Sequence, residues 1–168
     1  MELDMYLLSS LPKIDGLDYE EVKFVNACLN ELEEQQKELY EKVRPYILYF
    51  EQFGITWIGL EQEIGYLENA SQIHNWFVEN LHNGFDRNGF SVEVTKDDLD
   101  NLYIDCLDEL IRRFPEPGDV IPPRPRCFWG YVCTDFYYDK IQETVKVLEN
   151  LLKNFNFETH YLIYHYSR

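Results

Sequence analysis

Twelve residues in mid-chain, Asn69-Ala-Ser-Gln-Ile-His-Asn-Trp-Phe-Val-Glu-Asn80, limit the possible folds more narrowly than any other stretch. Ala70, Ile73, Phe77 and Leu81 recur at three- and four-residue spacing, with Val78 widening the stripe and Trp76 on its flank. That spacing predicts a helix with one face in a core. Asn69 or Ser71 is its candidate N-cap, since either side-chain oxygen can accept an amide of the first turn. His74 falls at the edge of the stripe, where a ring is half-buried and its pKa tunable. It reads first as a core-edge histidine bonded to a backbone carbonyl, and second as a ligand or general base.

The rest of the chain must supply the cover for that face. Leu3 to Leu8 alternates as a strand, with Leu3, Met5 and Leu7 on one side and Asp4, Tyr6 and Leu8 on the other. Ser9 to Gly16 reads as a loop. From Asp18 to Arg44 the apolar positions Val25, Leu29, Leu32, Leu39 and Val43 keep a heptad seam broken only by Gln36, which predicts one long helix laid on a sheet or on another helix. Pro45 stops or kinks it. Tyr46 to Phe53 continues the spacing as a short helix ending at Gly54, and residues 55–60 and 63–67 suit short strands.

Beyond the central helix, two Asn-Gly steps mark a loop over residues 82–90, followed by a strand at Ser91–Val94. Thr95 then caps a helix whose stripe runs from Leu99 to Phe114, with Asp100, Asp105, Asp108 and Glu109 placed outside it. A proline-rich loop spans residues 115–125, and Arg126 to Cys133 reads as a strand. A helix carrying Ile141, Val145, Leu148, Leu152 and Phe155 follows, and the tyrosine-rich Phe157 to Tyr166 is a strand suited to pair with the first. The expectation is one α+β domain over residues 1–168, with a mixed or mainly antiparallel sheet packed against about four helices.

The formal net charge is −16 on 168 residues, with 45% hydrophobic and 16% aromatic residues. Such a field repels nucleic acid and anionic membranes and attracts basic proteins, although an ordinary solvated acidic surface produces the same total. Cys28, Cys106, Cys127 and Cys133 form no Cys-x-x-Cys pair, so a reducing cytoplasm is expected and no metal is implied. No signal peptide opens the chain and no apolar run is long enough to span a bilayer. No Gly-rich phosphate loop, nucleophile elbow or zinc-protease motif points to a cofactor.

Several segments in order resemble one family: Leu3-Asp-Met-Tyr-Leu7, Ile73-His-Asn-Trp-Phe-Val78, Val94-Thr-Lys-Asp-Asp-Leu99 followed by Cys106, Cys127-Phe-Trp-Gly130, and Asp135-Phe-Tyr-Tyr-Asp139 followed by Thr144. These are small proteins encoded by bacteriophages and bacterial genomes, many opening Met-Gly-Leu-Asp-Met-Tyr-Leu. The chain departs from them at Glu2, in the proline-rich loop and in the glutamate-lined first helix. The resemblance implies a common fold and a phage or prophage setting in a bacterial host cell, but no reaction.

Two functions follow as expectations, with the balance toward a non-enzyme. The first is an interaction protein, of the anti-CRISPR or anti-restriction kind, that blocks a basic, nucleic-acid-binding host protein by charge mimicry through Glu31, Glu34, Glu38, Glu41, Asp100, Asp105, Asp108 and Glu109. The second is a small metal-dependent or acid–base hydrolase that gathers Asp4, His74, Asp86, Tyr138 and His165. Direct nucleic-acid binding is opposed by the charge.

Overall fold

The computed structural model describes residues 5–67, 70–112, 120–122 and 134–167. In it the last strand is the backbone of the architecture. That strand, β6 (His160–Ser167), pairs antiparallel on one side with β1 (Met5–Pro12) and on the other with β5 (Phe90–Val94), and β1 pairs in turn with β4 (Gln62–Tyr66). The four-stranded sheet therefore has the order β4-β1-β6-β5 and is antiparallel throughout. A separate two-stranded arm joins β2 (Leu48–Gln52) to β3 (Ile55–Gly59). The fold is α+β, as the alternation of periods in the sequence predicts.

Because β6 is central, successive side chains feed two cores. Leu162, Tyr164 and Tyr166 join Tyr6 and Leu8 of β1 under three helices: α4 (Ser71–Leu81), α5 (Lys96–Ile111) and α6 (Thr134–Asn154). Ile163 faces the other way and joins Leu11 under α1 (Tyr19–Ala27), α2 (Leu29–Gln35) and α3 (Lys37–Val43). Phe77 and Tyr164 stack with ring centroids 3.9 Å apart, which fixes α4 against the centre of the sheet. The helix N-cap is Ala70, without a side-chain cap; Asn69 lies outside the described residues.

The single long helix expected from Asp18 to Arg44 is instead three, broken at Cys28 and at Gln36, whose backbone (φ −141°, ψ 68°) is not helical. A straight helix from Tyr19 to Val43 would span about 38 Å, whereas an eight-residue strand such as β1 spans roughly 26 Å. Turning the axis at Gln36, the one polar position in the seam, brings Val43 into the same core as Val22, Val25, Leu29 and Leu32. The helix expected at Tyr46 to Phe53 is also corrected: a single 3-10 turn at Arg44–Tyr46 leads straight into β2. Thr95 caps α5 as the sequence indicates and Asp18 caps α1; in each, the cap's own amide donates in return to the carboxylate of the third helical residue. The strand expected at 126–133 lies outside the described residues, as do Cys127 and Cys133. Among the described residues no helix is long and apolar enough to cross a membrane.

Candidate functional site

The second face of the main sheet is covered by α1–α3 over only part of its area. On the open part, Leu7 and Ser9 of β1 stand beside His165 of β6 and Glu63 of β4, because Leu7 is opposite His165 and Ser9 is opposite Glu63 in register. The register of β1 against β4 slips between Leu8 and Ser9, leaving Ile64 as the extra residue of a bulge. These side chains, with Glu61, Gly89, Tyr166 and Ser167, line an open cleft of about 440 Å³.

Three of them form one hydrogen-bonded cluster. The Ser9 hydroxyl and His165 Nε2 both meet Glu61 Oε1 in very short contacts, and Ser9 Oγ lies 2.8 Å from the same ring nitrogen. A lone pair on Nε2 would face the carboxylate and be repelled, so Nε2 carries the hydrogen, and on the neutral ring Nδ1 is the acceptor. Asn26 of α1 completes the hold on Glu61: its amide donates to Oε2 at 3.3 Å while its oxygen accepts from the Leu60 amide at 2.7 Å. This is not a serine nucleophile with its base. In such a triad the serine and the carboxylate engage opposite ring nitrogens, and here both engage one. Ser9 is 4% exposed and acts as a positioning hydroxyl.

Burial alone would raise the Glu61 carboxyl, but the bonds from His165 and Ser9, together with the charges of His165 and Lys23, outweigh it and hold the group below its ordinary 4.5. A depressed carboxyl contributes stability that is complete above its unfolded value and is lost as pH falls through the folded one. Glu61→Gln is therefore expected to flatten the fall in unfolding free energy from about pH 5 toward pH 3, measured by urea denaturation at each pH. Parallel curves for the two proteins would show that Glu61 is not held this way.

His74 sits on the opposite side of the sheet. It is fully buried, with Nδ1 2.8 Å from the Tyr164 hydroxyl and Nε2 3.2 Å from Asp86 Oδ1. Its ring lies 3.8 Å from that of Tyr166. The partners are thus side chains and not the expected backbone carbonyl, and both nitrogens are engaged, which ties the 82–88 loop to α4. Of the five residues gathered for a hydrolase, His74 and Asp86 do meet. Tyr138 is buried in the main core, His165 points from the other face, and Asp4 lies outside the described residues. One strand cannot send Tyr164, Tyr166 and His165 to the same side, so this grouping does not form. Among the described residues no three His, Cys, Asp or Glu side chains are disposed to hold a metal ion.

The eight acidic residues also divide. Glu31, Glu34, Glu38 and Glu41 are exposed on α2 and α3. Asp100, Asp105, Asp108 and Glu109 belong to α5 on the opposite face of the sheet, so the eight do not make one surface. Within α5, Asp105 accepts the Trp76 indole N–H at 2.7 Å, Asp108 pairs with Arg112 at 3.0 Å, and Glu109 is 2% exposed. Glu109 is a core residue that accepts the amides of Val120 and Ile121.

Beside the α2–α3 glutamates stands the β2–β3 arm, which the sequence reading placed partly in a helix. Phe50 and Trp57, directly opposite in register, stack at 5.7 Å and stiffen it. Tyr49, Phe53, Ile55 and Trp57 are nonetheless exposed, Phe53 by 93%. Comparison with family models, curated proteins and solved structures returns no match.

Proposed function

We propose that this chain is an acidic interaction protein that docks on a basic, nucleic-acid-binding protein through the β2–β3 arm, with the glutamates of α2 and α3 steering the approach. In the phage setting implied by the resemblance, that partner is a host defence protein and docking blocks its nucleic-acid groove. The observation that carries the reading is Phe53. It occupies the two-residue turn with φ +53°, next to Gly54 at +76°. Such a turn favours Asn-Gly, and a bulky side chain in left-handed backbone costs roughly 1–2 kcal/mol. A fully exposed aromatic ring at a position that disfavours it locally is accounted for by a contact made with another molecule. Exposed aromatic anchors supply residence, and surrounding charges mainly raise the association rate.

Phe53→Asn separates the two effects. It is expected to stabilise the free protein by about 1 kcal/mol in urea denaturation while weakening capture of the partner from bacterial lysate by tenfold or more. Replacing Glu31, Glu34, Glu38 and Glu41 together by glutamine should slow association and flatten its dependence on salt. If the Phe53→Asn protein retains the same partner equally well, the arm is not the docking element.

A further inference from the structure

We propose that the cleft over Ser9, Glu61 and His165 binds an organic cation, a primary ammonium or a guanidinium, through His165 Nδ1 and the Glu63 carboxylate. The chemistry follows from counting the hydrogen bonds that the site has already made. The two donors nearest the floor, the Ser9 hydroxyl and the His165 Nε2–H, are both spent on Glu61. Glu61 itself already accepts those two bonds on Oε1 and one from the Asn26 amide on Oε2.

What is left in this part of the cleft is acceptor capacity. His165 Nδ1 has no partner among the described residues, on a ring that lines the cavity. Glu63 stands opposite Ser9 on the edge strand, exposed, and also has no hydrogen-bond partner among the described residues. A ligand fitting two such acceptors must be rich in N–H donors. Glu61 and Glu63 outnumber the one ammonium whose charge reaches Glu61, that of Lys23, so a positively charged ligand is favoured over phosphates and carboxylates. Leu7 and Gly89 form the walls, and nothing lies within 4 Å of the Gly89 Cβ direction, so a short alkyl stem has room. None of the lining residues belongs to the β2–β3 arm, so this site and the docking reading stand or fall separately.

The test is histidine-labelled NMR of the full chain at about pH 8, chosen to favour the neutral ring on which Nδ1 can accept. Methylguanidinium and butylammonium are each expected to shift the His165 ring resonances saturably. Tetramethylammonium, which has charge but no N–H, should not. Glu63→Gln should weaken binding about ten- to hundredfold, the effect of removing a charged hydrogen-bond partner, while Glu158→Gln on a distant exposed turn leaves it unchanged. Equal shifts from tetramethylammonium, or full affinity in Glu63→Gln, overturn the proposal. The source of the cation is read from a capped Gly-Arg-Gly peptide. Binding tenfold tighter than methylguanidinium assigns the cleft to an arginine side chain of a protein, and equal or weaker binding assigns it to a free small cation.

Discussion

Phe77→Ala is expected to lower the unfolding free energy by about 3–5 kcal/mol, the range for truncating a buried aromatic ring to a methyl group. Phe77 is fully buried between α4 and the sheet, stacked on Tyr164 at 3.9 Å and met edge-on by Trp76 at 5.5 Å. The loss combines the transfer free energy of the ring with the cavity that rigid neighbours cannot close. Tyr164 is held in place by β6 pairing and by the His74 bond, so collapse into the space is resisted. In a chain of 168 residues the change corresponds to a fall in Tm of roughly 6–20 °C. Phe77→Leu keeps most of the volume and should cost under half as much. Urea midpoints at constant slope measure both, and a loss below about 1 kcal/mol for alanine would mean that α4 does not anchor this core.

The same helix shows what was legible in the sequence and what was not. Its stripe of Ile73, Phe77 and Leu81 is local information, as are the capping boxes at Asp18 and Thr95 and the alternation of β1 and β6. The break at Gln36 was masked because heptad spacing is the same in one long helix and in two short ones. Nothing but a polar residue in the seam marked it. Only the first strand of the arm reads as a helix, because its turn uses Phe53-Gly54 where Asn-Gly would announce a hairpin, and Gly54 serves equally well as a helix stop; the second, at residues 55–60, is a strand as its residues suggest.

The cleft was hidden by distance along the chain. Ser9, Glu61 and His165 meet only through β pairing, 52 residues separating the first two and 104 the last two. Ending β1 at Leu8 left Ser9 in a loop, and Glu61 fell in a linker between strands. Extending the alternation through Leu11, and pairing it with β6, would have put Leu7, Ser9 and His165 on one side by parity alone. His165 was thus singled out with the wrong companions. Parity also separates it from His74, since Tyr164 and Tyr166 turn toward that ring.

Glu109 is the position where residue type and spacing disagree, and it carries the second large effect. Leu102, Cys106 and Glu109 follow four- and three-residue steps along α5, so the helix directs Glu109 inward regardless of its charge. A buried carboxylate is tolerable only if its desolvation is offset, and here the amides of Val120 and Ile121 donate to Oε2 at 3.0 and 3.2 Å. Tyr137 closes the arrangement by donating to the Ile121 carbonyl at 2.7 Å. Burial, reinforced by the nearby Glu109 charge, pushes its phenol above the ordinary range. Glu109→Ala strips the acceptor from two amides, at about 1.5–3 kcal/mol for each bond to a charged group, and the expected total is about 3 kcal/mol or more. A solvated glutamate on an exposed helix face would cost less than about 0.5 kcal/mol when replaced. Denaturation therefore separates the two placements by a wide margin, and hydrogen exchange adds a local readout: the Val120 and Ile121 amides should lose protection first. Glu109→Gln keeps one acceptor oxygen and should fall between the native protein and alanine. If alanine is neutral and both amides stay protected, Glu109 is not the group that fastens residues 120–121 to α5.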